Sequence, residues 1–462
     1  MKPNILFVII DSFRADSFHG KESSTIPNID YLIKNGTYFS QTISAADATL
    51  LSWSSIFTGL YPFKTGIRSE HFNKLNSNIT TFFKIFESIG YKLYGYVPKV
   101  GDIGLFPNFL NNDSFYEPYK NIYEEKGKIL SNKIFEKLSD NMTEPWFFLV
   151  HLYDLHDPMI IPKSFNDKKF GTSNYEKQVS SIDNWIGQLI KKINFEDTLL
   201  VLTSDHGKYI KTLTNNENIN FESNPQIQRI LSKIGQRTPK IFHPLKDKVF
   251  SSMESMSQKK KMNMLKKLNE ELRGELQLNE HEKISLLSGR ADIDHYLYDD
   301  KVRIPLLFVG YGVEKNIIVS QQTRSVDIFP TIFEIIGDVS QDKNIDGQSL
   351  KPLIVSTNIE EKPAYIESNP LILAESNDVI GIRTSSYKYF RDVVDPKIRV
   401  HLYDLKNDSK ETKNLANSMP EIVKKMESIL QEIRFNWNPS KIESNDEETK
   451  LIEDELKKLG YM

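Results

Sequence analysis

Apolar runs of five to seven residues recur along the chain and each stops abruptly on polar or charged residues. Ile5–Ile10 ends at Asp11-Ser12, Trp146–Leu152 runs into Tyr153-Asp154, Thr198–Leu202 runs into Thr203-Ser204-Asp205, and Pro305–Val309 forms a fourth. Runs this short, rich in β-branched residues, read as strands buried on both faces of a parallel sheet. The helical or irregular stretches between them give the rhythm of an α/β protein, in which ligands gather at the carboxyl ends of the strands. Residues directly behind the runs are therefore the ones to read for chemistry, and a helix is expected soon after Asp11.

Between Gly207 and His295 the pattern changes. An Asn-rich stretch precedes Met253, Met256, Met264, Leu265, Leu268, Leu272 and Leu276, whose spacing is mostly helical and predicts amphipathic helices inserted into the main body. Lys259-Lys260-Lys261 and Lys266-Lys267 read as a solvated face, with a basic lid over an anionic substrate as the functional alternative. Past residue 360, strand-like pieces at Ile380–Arg391 and Arg399–Leu405 precede a helix from Glu421 to about Phe435, predicting a small α+β unit. An acidic tail follows, with a closing helix expected over Glu447–Lys458.

Composition narrows the chemistry. The 462 residues suffice for two or three domains, or for one large body with an appendage. Lys and Arg number 59 against 62 Asp and Glu, a net charge of −3, so no general field exists to hold nucleic acid. Cysteine is absent, which excludes disulfides, thiolate metal sites and cysteine nucleophiles. No stretch approaches the roughly 18 apolar residues of a membrane span, and the first run is too short for a signal-peptide core. Cytoplasmic residence is the expectation, with no integral membrane segment; the oligomeric state is left open.

Four pieces carry candidate chemistry. Asp11, at a strand's end, is placed either to bind a divalent metal or to cap the next helix. Asp205-His206-Gly207 offers an oxygen and an imidazole ligand behind a buried strand, with Gly207 permitting a tight turn. His151-Leu152-Tyr153-Asp154-Leu155-His156-Asp157-Pro158 gathers two of the nine histidines and two aspartates. Within it His151 reads as a hydrogen-bonded core residue of the strand, and His156 as the better candidate. Finally, Thr49 opens a Ser-rich stretch ending in Thr58-Gly59-Leu60-Tyr61-Pro62, where it either caps a helix or serves as a hydroxyl nucleophile.

In this order the pieces resemble the sulfatase-like branch of the alkaline phosphatase superfamily. Ile26-Pro27-Asn28-Ile29-Asp30, Leu297-Tyr298-Asp299-Asp300 with Arg303-Ile304-Pro305-Leu306, Ser325–Thr331, Asp346–Leu350, Tyr387-Lys388-Tyr389, Leu402–Leu405 and Leu459-Gly460-Tyr461 extend the resemblance over most of the chain. It implies an alkaline phosphatase-like three-layer α/β/α catalytic domain over residues 1–360, with a central mixed, mainly parallel sheet and a mainly helical insertion at 208–290. A small C-terminal α+β subdomain at 361–436 and the acidic tail at 437–462 complete the expected organisation. Counting back from Thr58-Gly59 puts Thr49 at the nucleophile position, with Leu51 and Trp53 where sulfatases carry Pro and Arg. A formylglycine made from Cys or Ser is thus unsupported, and Thr49 looks instead like the nucleophile of phosphoethanolamine and phosphoglycerol transferases and of phosphodiesterases. Ser12 also fills the place of a second aspartate found in many sulfatases.

The resemblance implies a divalent ion held by Asp11, Asp205 and His206 that activates Thr49 for attack on phosphorus or sulfur. His156 and His295 would then act as substrate ligands or proton donors, and Asp154 as a substrate or second-metal ligand. The mixed oxygen and imidazole shell favours Zn²⁺ or Mn²⁺, with Ca²⁺ or Mg²⁺ as the other options. The substrate expected is a small-molecule or glycan-linked phosphate, phosphonate or sulfate ester. Hydrolysis or transfer of phosphorus esters through Thr49 is the leading expectation, followed by a sulfatase lacking formylglycine and then by a non-catalytic binding protein.

Overall fold

The computed structural model describes the chain except for residues 1, 20–23, 68–73, 100–102, 118–121, 123–129, 140–141, 158, 215–217, 222–242, 272–276, 289–294, 339–343, 370–377 and 436–462. The expected closing helix over 447–458, Pro158 and Leu459-Gly460-Tyr461 lie outside the described residues.

Strand β1 (Asn4–Ile10) lies at the centre of a nine-stranded sheet, with every residue buried. It pairs in parallel with β5 (Trp146–Leu152) on one side and β6 (Thr198–Thr203) on the other. Beyond β5 follow β3 (Lys92–Pro98) and β4 (Phe115–Tyr116), both parallel. Beyond β6 comes β9 (Arg303–Gly310), the antiparallel member, which also pairs antiparallel with β2 (Gly36–Ile43). The short strands β10 (Ile317–Val319) and β11 (Thr323–Arg324) run parallel to β2 at the edge. The sheet is therefore mixed and mainly parallel.

Successive residues of a strand point to opposite faces, and β1 shows what the continuous apolar run accomplishes. Ile5, Phe7 and Ile9 pack into one core with Trp53 and Phe57 of helix α1 (Thr49–Thr58) and the Phe82, Phe83, Phe86 cluster. Leu6, Val8 and Ile10 pack into the other with Val179, Ile182 and Trp185 of helix α2 (Asn174–Leu189). Helices thus cover both faces, giving three layers.

After β1 the chain bends at Ser12, whose φ of 60° is in the left-handed region, and then forms the helix expected after Asp11 as a single turn at Ala15–Phe18, followed by an eight-residue helix at Pro27–Lys34. Within the stretch expected to be helical, a hairpin comes first, β7 (Thr212–Thr214) with β8 (Asn218–Asn220), then helices α3 (His243–Glu271) and α4 (Glu280–Leu287). A one-turn helix α5 (Asp299–Val302) leads into β9. At the C-terminal end, β12 (Ala364–Glu367), β13 (Val379–Arg383), β14 (Tyr387–Asp392) and β15 (His401–Asp404) form an antiparallel sheet, and helix α7, defined here as Pro420–Phe435, packs Met426 and Leu430 against it. Helix α6 (Ile328–Ile335) packs Phe329 and Phe333 into the core shared with α1.

Candidate active site

Three neighbouring parallel strands end together. In register, Ile9 of β1 stands opposite His151 of β5 and Thr203 of β6, so Asp11 and Asp205, two residues further along their chains, emerge beside His151. One ligand atom from each of Asp11, His151 and Asp205 lies within 4.8 Å of the others, and all three residues are buried. His151 Nε2 is 3.6 Å from Asp205 Oδ2 and 3.9 Å from Asp11 Oδ2.

Local hydrogen bonds aim these groups. Asp11 Oδ1 accepts from the Ser12 hydroxyl at 2.7 Å, while Asp205 Oδ1 accepts from the N–H groups of His206 at 2.8 Å and Ser12 at 3.1 Å. The left-handed turn at Ser12 is what points that N–H at Asp205, a strained backbone held by its neighbours. Asp205 Oδ2 and both ring nitrogens of His151 are left without a hydrogen-bond partner in the buried interior. Unpaired acceptors are costly in a dry core, and a divalent cation shared by Asp205 Oδ2 and His151 Nε2 would satisfy both. Separations of 3.6 and 3.9 Å between ligand atoms suit a shared ion at about 2.0–2.2 Å from each. The residues therefore fit a metal.

His151 is the residue that sequence reasoning missed. It was expected to be hydrogen-bonded within the core, yet neither nitrogen has such a partner; its ring instead packs edge-to-face on Trp53, centroids 4.7 Å apart. The signal available was its place as the one ionisable side chain of β5, near the strand's carboxyl end.

Thr49 begins α1. Ala48 is the N-cap and no side chain caps the helix, so Thr49 is free of the capping role weighed for it. Its hydroxyl donates to Asp11 Oδ2 at 3.3 Å and lies 3.2 Å from His206 Nε2. His206 Nδ1 meets the Gly207 carbonyl at 2.8 Å, which places the proton on Nδ1 in the neutral ring and leaves the Nε2 lone pair facing Thr49. Burial disfavours the charged ring of His206, but Asp205 and Asp11 outweigh it and raise its pKa. Asp205 shows the reciprocal effect, held well below the carboxylate range by His206 and His151 against the pull of burial. Gly207 is required by close approach, since a Cβ there would meet the Asp300 carbonyl oxygen at 2.1 Å.

Asp11, Asp205, His206 and Thr49 are thus brought together. His156 sits on the loop after β5, stacked on Tyr153 with its Nδ1 2.7 Å from the Asp157 carbonyl. Lys208 ties that loop to the Asp205-His206-Gly207 turn, donating to Asp157 Oδ1 at 2.9 Å and to the Leu155 carbonyl at 3.1 Å. His295 faces Asp378 at 3.8 Å and helps hold the Asp47 carboxyl low, after the larger influences of burial, which opposes it, and Lys301. Asp154 stands outside the three-residue group. Its Oδ1 accepts from Ile122 N–H and Gln178 Nε2, and burial pushes its pKa up to about 7.

Among the described residues no helix is long and apolar enough to cross a membrane. A family model described as Sulfatase matches residues 3–338, and one described as N-sulphoglucosamine sulphohydrolase, C-terminal, matches residues 293–436. Arylsulfatase K of Mus musculus is 23% identical over 466 residues, covering 93% of this chain and 79% of its own. A protein solved in complex with its substrate, D-Glucosamine-2-N, 6-O-disulfate, superimposes with a TM-score of 0.63 at 15% identity, covering 96% of this chain and 100% of its own. The Phosphonate Monoester Hydrolase of Agrobacterium radiobacter gives the same TM-score and identity over 94% of this chain and 96% of its own.

Proposed function

The chain belongs to the sulfatase family, and from that premise we propose that it is a metal-dependent hydrolase of sulfuric esters, with Thr49 as the attacking group. The observation that carries this reading is the Thr49 hydroxyl 3.3 Å from Asp11 and 3.2 Å from His206, beside the unsatisfied His151 and Asp205. Asp11, Asp205 and His151 would hold the ion, with His206 Nε2 able to join them or to accept the Thr49 proton. When bound, a divalent ion supplies Lewis-acid polarisation of the ester and stabilises an ionised hydroxyl.

The chain's own groups supply the rest. Thr49 Oγ is directed by Asp11 and His206, attacks sulfur and displaces the alcohol; water then hydrolyses the Thr49 ester. His156 and His295 are the candidates to protonate the departing oxygen. Both family descriptions name sulfatases, and the disulfated glucosamine bound by one relative in fold supports a sulfated sugar as the organic half.

The comparisons support sulfuric esters better than the phosphorus esters expected from Thr49. The phosphorus reading stays second for a specific reason: a Thr ester of sulfate lacks the aldehyde hydrate that expels sulfate in formylglycine enzymes, and a phosphonate monoester hydrolase shares the fold. The test is turnover of matched aryl sulfate, phosphate and phosphonate esters and of glucosamine 6-sulfate by metal-loaded protein. Sulfate cleavage that is lost in Thr49→Ala, with its metal retained, is expected. Preference for phosphorus esters would select the second reading, and full activity in Thr49→Ala would sink the nucleophile assignment.

A further inference from the structure

Three consecutive residues of α5 reach three different parts of the molecule. Asp299 turns to the C-terminal sheet, where it meets Arg383 Nη2 at 2.8 Å and Lys388 Nζ at 2.5 Å while its N–H donates to Glu411. Asp300 receives both terminal nitrogens of Arg14, at 2.7 and 2.9 Å, and faces His281 of α4 at 3.5 Å. Arg14 lies three residues beyond Asp11, and His281 stacks on Tyr298 with centroids 4.0 Å apart. Lys301 closes an ion pair with Asp47, and its carbonyl accepts from Gly207 N–H at 2.7 Å.

Asp47 is two residues before Thr49 and its side chain is 2% exposed. Its other oxygen accepts from Asn369 N–H at 2.8 Å, and its own N–H donates to the Glu367 carbonyl, so the segment entering α1 hangs between α5 and the C-terminal sheet. No side chain caps α1 at its first residue; from within the helix Ser52 holds the entry by donating its hydroxyl to the Ala46 carbonyl and its N–H to the Ala48 carbonyl, and the Lys301–Asp47 pair holds the same segment from outside. The pair is only partly buried, with Lys301 22% exposed, and such a pair adds little net stability, so its use here is to be sought in where it holds Asp47. The Thr49 hydroxyl must hold two contacts of 3.2 and 3.3 Å at once, and errors near 1 Å in a reacting group cost up to about a hundredfold in rate.

We propose that Lys301 is a positioning residue: acting through Asp47, it sets Thr49 Oγ against Asp11 and His206, and α5 makes that setting depend on the docking of α4 and the C-terminal sheet. The inference rests on the reading of Thr49 as the attacking group, but the contact it describes can be tested separately.

The experiment compares metal-loaded Lys301→Met, Lys301→Arg, Asp47→Asn and the double variant Asp47→Asn/Lys301→Met with the parent. In the crystal structure of Lys301→Met, Thr49 Oγ should leave hydrogen-bond range of Asp11 Oδ2 and His206 Nε2, with Asp11, His151 and Asp205 unmoved and the metal content per chain unchanged. On the ester the parent cleaves best, kcat should fall roughly tenfold to a hundredfold with KM within about threefold. Lys301→Arg should restore most of the loss, and the double variant should be no worse than the weaker single one. Thr49 found in place in Lys301→Met, or kcat within about twofold of the parent, overturns the proposal. If Lys301→Met does not fold, Asp47→Asn, which keeps shape and removes the charge, carries the same comparison. Absence of any ester turnover in the parent would defeat the proposed function, while the position of Thr49 in the variant would still decide this inference.

Discussion

Asp154 carries its carboxyl into an interior where Oδ1 finds two donors and Oδ2 finds none. Burial pushes its pKa from 3.8 up to about 7, so between those values the folded protein holds a proton that the unfolded chain has released. Stability therefore falls as pH rises through that window, and the penalty is complete above about 7. Asp154→Asn should leave unfolding at pH 4 nearly unchanged and stabilise the protein at pH 8 by up to about 4 kcal/mol, read from urea or thermal unfolding. Its metal content should match the parent's; loss of an ion would instead make Asp154 a ligand, as the sequence allowed. The same scale explains why His151 escaped notice. A lone histidine inside an apolar run reads as core, and only the pairing of β5 with β1 brings its ring beside Asp11.

The elements explain why the rest of the centre was legible. A buried run stopped by Asp marks a strand's carboxyl end, and β1 and β6 deliver Asp11 and Asp205 where the runs Ile5–Ile10 and Thr198–Leu202 said they would end. Thr49 was singled out by its distance from the glycine that closes α1, whose φ of 70° ends the helix, and the structure places its hydroxyl beside Asp11 and His206. What the runs could not show was the reason for Gly207. Its role is contact between elements: the Asp205-His206-Gly207 turn presses on α5 so closely that a methyl group would overlap the Asp300 carbonyl. Gly207→Ala should therefore cost about 1–3 kcal/mol and push the turn away from β1 and β5. Weaker metal retention on dialysis, together with a lower melting temperature, is the expected result, and a fully metallated variant of parental stability would show that the turn yields without strain.

Across the whole molecule, the pairs that join its parts lie far apart in sequence, Arg14 and Asp300 by 286 residues and Asp47 and Asn369 by 322, which is why no local reading of Leu297–Asp300 showed what these residues touch. The joint between the main sheet and the C-terminal sheet is a buried charge cluster. Lys388 Nζ, fully buried, lies 2.5 Å from Asp299 Oδ1 and 2.8 Å from Glu411 Oε1. Asp299 stays well below the ordinary carboxylate range because Arg383 and Lys388 overcome its burial, whereas Glu411 is raised, burial and Asp299 together exceeding the help of Lys388. One ammonium thus serves two carboxylates unequally, and Glu411 depends on it most. Lys388→Met removes that charge and leaves Glu411 buried beside Asp299, which should cost about 3 kcal/mol or more in unfolding measurements. Lys388→Met/Glu411→Gln should recover most of the loss, because the double change removes the repulsion as well as the attraction. Since Asp299 shares α5 with Lys301, Lys388→Met should also lower kcat under conditions where the protein is fully folded, and the double variant should regain part of it. Recovery of stability without any recovery of turnover would mean that the C-terminal sheet only props the catalytic layers and does not help to set Thr49.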